Sequence, residues 1–246
     1  MKMSNIWFIM KRELNGYFAT PVAYVFIISF LLLTGFSTFF VGDFFERGEA
    51  DLYPFFSIHP WIYILLIPAI SMRLWSEERK SGSIELLMTL PISVFDAVLG
   101  KFLAAWIFTG FALLLNFPLW ITVNYLGNPD NGVIIAGFVG SFLMAGGFLA
   151  IGACISAATK NQVIAFVLSL IVSLIFVLSG YGIVLDFFSS WAPQELVHVI
   201  SSFSFLTHFD AISKGVIDMR DIAYFASVIL VWLFANAIVV NARKAD

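Results

Sequence analysis

Six stretches of this chain carry no Asp, Glu, Lys or Arg, and each is long enough to cross a membrane. They cover 20–42, 52–72, 102–129, 131–159, 161–185 and 222–242. A bilayer core of about 30 Å needs roughly 20 consecutive apolar residues in a helix. In hydrocarbon every backbone N–H and C=O must be satisfied within the protein, so such runs fold as helices. The expected fold is an all-α membrane protein with six spans, near 21–42, 54–73, 102–126, 133–158, 162–185 and 222–241. Only 12% of the residues are charged, about half the share in a soluble domain. No internal repeat or low-complexity linker divides residues 1–246, so they read as one domain.

Positive charge sets the expected orientation. With both termini inside, the inner segments hold Lys2, Lys11, Arg12, Arg73, Arg79, Lys80, Lys101, Lys160, Arg243 and Lys244, and the outer ones only Arg47, Lys214 and Arg220. Positive residues favour the cytoplasmic side. The outer segments are acidic, notably Asp43, Glu46, Glu49 and Asp51. The first apolar run is too long for the core of a signal peptide and no small-x-small site follows it, so it is expected to be retained.

Local signals refine this outline. Ile6, Ile9, Met10, Leu14 and Tyr17 form an apolar stripe with Lys11, Arg12 and Glu13 between them, which suits a helix lying on the membrane surface. Thr20-Pro21 reads as N-cap and first residue of the first span. Pro68 and Pro118 are expected to kink the second and third spans. The sequence Gly127-Asn128-Pro129-Asp130-Asn131-Gly132 reads as a tight outer turn. The fourth span is rich in small residues, and Ala136/Gly140 and Gly137/Ser141 match small-xxx-small helix packing. Cys154, the one cysteine, falls inside that span as a small buried apolar residue.

Segment 186–221 is too apolar for a solvated loop. Phe187, Phe188, Trp191, Leu196, Val199, Phe203, Phe205 and Phe209 lie in it, in runs too short to span. Short interfacial or re-entrant helices, tucked into the outer face over Trp191–Phe209, are expected. His198 and His208 are ten residues apart there. A metal site needs further ligands, so both are read as interfacial polar residues.

The spans lack any acidic or basic side chain at mid-depth, where ion-driven transporters keep their relays. A phosphate-binding loop is also missing: Gly100-Lys101 is followed by Phe102, with Phe95 where the first glycine would stand. Energy for any transport would come from another chain.

That directs attention to the charged island 76–101, SEERKSGSIELLMTLPISVFDAVLGK, between the second and third runs. Within it a compact amphipathic element is bounded by Gly82 and Pro91. Ile84, Leu87 and Met88 share one helical face, with Glu85 and Thr89 elsewhere. Ser93 and Asp96 have the spacing of a capping box for a helix running through Lys101 into the third span. Such an element either rests on lipid headgroups or meets a soluble partner.

Glu77, Glu78, Gly82, Ser83, Glu85, Leu86, Leu87, Pro91 and Ile92, followed by Leu99, Gly100 and Lys101, resemble the signature of ABC-2 type permeases. Ser83 stands where Thr is commoner. The likeness extends over residues 54–73, 160–166 and 214–221 to the gliding-motility-type subfamily. It implies a six-span fold with an N-terminal interfacial helix, a cytoplasmic coupling helix between spans 2 and 3, and short re-entrant helices between spans 5 and 6. It implies a second permease subunit, identical or a sister, and separate cytoplasmic ATPase chains that bind ATP and Mg. The chain itself would hold no cofactor and catalyse nothing. By that likeness Leu86, Leu87 and Met88 seat in the ATPase groove, Glu77, Glu78 and Glu85 make polar contacts around it, and Gly82, Ser83, Ile84, Leu90 and Pro91 complete the docking element. The implied setting is a bacterial cytoplasmic (inner) membrane, multi-pass, with lipids as neighbours and no nucleic acid. The implied function is ATP-driven export, and the uncharged, aromatic-rich spans favour lipid-like or amphipathic cargo. The alternative is a non-transporting ATP-driven machine acting on an extracytoplasmic partner through the acidic 43–51 loop and segment 186–221.

Overall fold

A 28-residue helix, Asn131–Ala158, is the axis about which the other helices pack in a computed structural model of the chain. The structure describes residues 2–85 and 91–242, with backbone alone for 2–4. The helices are α1 (Lys2–Phe18), α2 (Pro21–Phe36, continued by a π-turn over Ser37–Val41), α3 (Tyr53–Ser57), α4 (His59–Ser71), α5 (Arg73–Ser81), α6 (Val94–Leu114), α7 (Phe117–Leu126), α8 (Asn131–Ala158), α9 (Gln162–Leu178), α10 (Gly182–Ser189), α11 (Gln194–Ser202), α12 (Phe205–Ser213) and α13 (Met219–Ala242). No strand occurs among the described residues.

The small residues of α8 explain its central place. Asp130 caps its start by accepting from the amides of Gly132 and Val133. A side chain on Gly137 would begin 2.5 Å from the Phe56 ring, one on Gly140 2.7 Å from Ile212, and one on Gly146 2.9 Å from both Ile229 and Trp106. The Ser71 hydroxyl sits where a Gly152 side chain would start. Each glycine thus admits a different neighbour, as small-residue helix packing requires.

Among the described residues, four helical segments are long and apolar enough to cross a membrane: Pro21–Val41, Val94–Leu126, Asn131–Ala158 and Met219–Ala242. A fifth candidate is the pair α9 and α10, bent by 70°. The bend sits at Gly180, where the side chains of Ser204 and Thr207 occupy the space of a Cβ. Segment 162–185 is therefore two helices rather than one. The third run is interrupted between α6 and α7, just before Pro118, with Asn116 accepting a 2.9 Å bond from Thr34 on α2. Thr20 stands at the N-cap of α2, but its hydroxyl turns back to the Tyr17 carbonyl instead of capping the helix.

The second run departs most from expectation. It forms α3 and α4 in series, with α5 following from Arg73, and α4 has 13 residues, about 20 Å of helix. Pro60 at the start of α4 marks a restart after Ile58. Pro68 stays inside α4, and the break falls at Met72. Ser156 of α8 explains that position. Its hydroxyl donates to the Met72 carbonyl at 2.7 Å and accepts from the Trp75 and Ser76 amides at 3.1 Å each. One donor and two acceptor lone pairs are all used.

The apolar stripe of α1 also has another partner than expected. Ile9 and Met10 are buried, and Leu14 and Tyr17 pack on the core, because α1 lies against α6. A Gly100 side chain would meet Ile9 at 2.8 Å. The stripe is covered by protein, while Trp7, Phe8 and Phe18 are exposed.

Segment 186–221 is helical, as its composition suggests. Only α12 is sunk into the fold, through Phe205, Phe209 and Ile212. Helices α10 and α11 bury no residue, and Trp191, Leu196, Val199 and Phe203 are exposed. The tucked-in arrangement expected across Trp191–Phe209 thus holds for its end alone, since the amphipathic α11 buries none of its residues.

Candidate functional site

The island leaves the helical body through α5, which is fastened at several points. Arg79 is 7% exposed, and its Nη1 donates to the Ala157 carbonyl at 2.6 Å. That carbonyl lies in the last turn of α8, where cations satisfy orphan acceptors and the helix dipole. With Ser156 holding Met72, Trp75 and Ser76, α5 is clamped to one end of the central helix. Gly82 then closes α5 in the left-handed region, at φ +73°, the conformation glycine supplies after a helix end.

Beneath α5 lies an ion network. Lys101 of α6 is 2% exposed. Its ammonium is 2.8 Å from Glu78 Oε1 and 3.3 Å from Glu13 Oε2, and it lies over the Trp75 ring at 5.3 Å. Arg12 pairs with Glu13 at 2.6 Å and reaches Glu78 Oε1 at 3.9 Å. The network joins α1, α5 and α6. Burial pushes the Glu13 carboxyl up, but the Lys101 ammonium and then Arg12 outweigh it, leaving its pKa below the ordinary carboxylate value. Burial likewise holds the Tyr17 phenol above its ordinary range. A cleft of about 250 Å³ opens beside the network, with Glu13, Arg73 and Lys101 at one end and Val22, Phe26 and Ile70 at the other.

The expected docking residues separate into four groups. Glu77, Gly82, Glu85 and Pro91 are exposed, and Glu77 is held in a bidentate pair by Arg73 at 2.9 and 3.2 Å. Ser83 and Ile84 are half-buried; Ser83 bonds the Ser81 hydroxyl, and Ile84 packs on the core. Glu78 turns inward to Lys101. Leu86, Leu87, Met88 and Leu90 lie outside the described residues. The Ser93–Asp96 capping box forms in both directions, each bond at 3.1 Å, and starts α6.

Sequence reasoning missed the anchorage. Glu13 and Lys101 are visible as charges, yet their 88-residue separation hides the pairing. Ser156 lies in a charge-free run and gives no signal at all. What the described residues form is a short element on a charge-fastened base.

The sequence model of the ABC-2 family transporter proteins matches residues 41–241, most of the chain and all of the island. No curated protein matches it.

Proposed function

The chain belongs to the ABC-2 family of transporter proteins, and on that premise we propose that it is the six-span permease subunit through which separate ATPase chains drive export of a lipid-like or amphipathic substrate. The observation that carries this reading is the island: an element that opens at Gly82 with Gly82 and Glu85 exposed, carried on α5 and clamped to the end of α8 by Arg79 and Ser156. A partner pushing on residues 82–91 would move α5, and through Lys101 also α1 and α6. In this reading Glu77 and Glu85 face the ATPase, Glu78 stiffens the base, and Leu86, Leu87, Met88 and Leu90 supply the apolar contact. Helices α3 and α4 in series form the second span, and the bent α9–α10 pair the fifth. Helix α1 lies at the inner membrane surface with Trp7 and Phe8 toward lipid, α10 to α12 lie at the outer face, and both termini are cytoplasmic. A second permease subunit completes the membrane part, ATP and Mg reside in the ATPase, and the chain resembles the gliding-motility-type subfamily.

Two experiments test this. Leu87→Asp is expected to abolish co-purification with the ATPase while the permease still inserts, because a charge in an apolar groove costs several kcal/mol. Unchanged co-purification would remove Leu87 from the docking surface. Ser83→Cys in a Cys154→Ala background is expected to resist membrane-impermeant maleimide in intact cells and to react in inverted vesicles. Labelling from outside intact cells would reverse the topology.

A further inference from the structure

His208 stands where three helices meet, at the end of α8 remote from the island. Ile212 of the same helix packs on Gly140, whereas Arg79 reaches Ala157; at 1.5 Å per residue that is about 25 Å along α8. The Nδ1 of His208 is 2.6 Å from Asp221 Oδ1 on α13, and its Nε2 is 3.0 Å from the Ser202 carbonyl oxygen on α11. Both partners are acceptors. A neutral imidazole has one N–H, so only the imidazolium can donate to both.

Other features of the site bear on the same contact. The His208 and Asp221 side chains are 17% and 11% exposed, so water screens their contact little. Ser202 is the last residue of α11, where orphan carbonyls and the helix dipole attract a cation. The Tyr224 ring stacks on the imidazole with centroids 3.9 Å apart, presenting a π face to it. Tyr224 also donates its hydroxyl to the Phe203 carbonyl, so the end of α11 is held twice from the same side. Little else fastens α11, which buries no residue of its own.

We propose that His208 is a proton-operated latch that clamps the end of α11 to α12 and α13 as an imidazolium and frees it on losing a proton. When the proton leaves to water, one ring nitrogen keeps its hydrogen and the other faces an acceptor lone pair to lone pair. The contribution is present while both ring nitrogens carry hydrogen and disappears once one of them has lost it. The neighbouring ionisable groups are few among the described residues. Asp221 and Tyr224 face His208 from α13; on its own helix, Asp210 is paired with Lys214 at 2.6 Å, and Tyr53 of α3 lies beside that lysine. Helices α8 and α9 bring no carboxylate or amine, and Glu195 and His198 of α11 are exposed. The latch rests on this bonding pattern alone, independent of what the protein transports.

The test uses the full chain in lipid nanodiscs, in a Cys154→Ala background, with spin labels at Leu196→Cys on α11 and Leu230→Cys on α13, both exposed positions. Pulsed dipolar spectroscopy at about pH 5.5 and 8.5, on either side of the imidazole range, is expected to give one narrow distance in acid and a broad distribution in alkali. His208→Gln is expected to be broad at both, and His198→Gln to respond like the parent. A parent distribution unchanged between the two conditions, or a His208→Gln variant that still responds, overturns the latch. Should His208→Gln not fold, ¹⁵N-histidine spectra of the unaltered chain decide: both His208 ring nitrogens protonated on the acid side supports it, and a neutral tautomer there refutes it.

Discussion

Replacing Lys101 by Met is expected to loosen the N-terminal helix and lower stability by about 3 kcal/mol, the lower end of the range for breaking a buried ion pair. The lower end applies because Glu13 and Glu78, with side chains 19% and 21% exposed, keep some water. Met fills much the same volume as the lysine stem, so the loss is chiefly electrostatic: two carboxylates face each other with only Arg12 to balance them. In a protein of this size that corresponds to a melting point roughly 6–12 °C lower. Glu78→Gln in the same chain should restore part of it, since the double variant removes one of the stranded charges. A Lys101→Met chain that melts with the parent would show that the network contributes nothing.

Acid should weaken the same joint. Glu13 titrates below its ordinary range in the folded chain. Its contribution is therefore complete above the unfolded carboxylate value, about 4.3, and is lost as pH falls through the lower folded value. Melting points should drop on acidification below about pH 4, and drop less in Lys101→Met, where the largest attraction on Glu13 is gone. Equal acid sensitivity in both would place the effect on other carboxylates.

This network marks where sequence reading stops. Charge-free runs announce helices well when run and helix coincide, as in Asn131–Ala158 and Met219–Ala242. They fail at the second run because its breaks are set by tertiary bonds. Ser156 supplies hydrogen bonds to Met72, Trp75 and Ser76 from 80 residues away or more, and no local signal in Met72 foretells it. The α1 stripe has the right periodicity for an apolar surface, but periodicity does not say whether lipid or the helix Val94–Leu114 covers it. Gly100 held that information, as a place where Ile9 can approach. Within the island, capping is local chemistry, and the Ser93–Asp96 box is legible. The inward turn of Glu78 is not, because it depends on Lys101 arriving from the next helix.

Gly152→Val is expected to be the most damaging single change at the junction between the island and the helical body. Ser71 of α4 is wholly buried, and its hydroxyl lies where the new side chain would begin, with its Cβ 2.6 Å away. A flexible side-chain end could swing aside, but a Cβ moves only with its backbone. Helix α4 must therefore shift off α8, one residue before the Met72 break that Ser156 holds. Over-packing of this kind costs about 1–3 kcal/mol for a few extra carbons, and here it also strains the three Ser156 bonds. Ser71→Gly should recover part of the loss in a Gly152→Ala chain, because the two positions compete for one space. Gly35→Ala supplies the contrast: nothing lies within 4 Å of its Cβ position on α2. Alanine there should be neutral or gain up to about 1 kcal/mol from helix propensity. Thermal unfolding in detergent and protease protection at residues 72–81 would read both changes. Equal melting points for Gly152→Val and Gly35→Ala would mean that α4 and α8 are not in the close contact on which the clamped island depends.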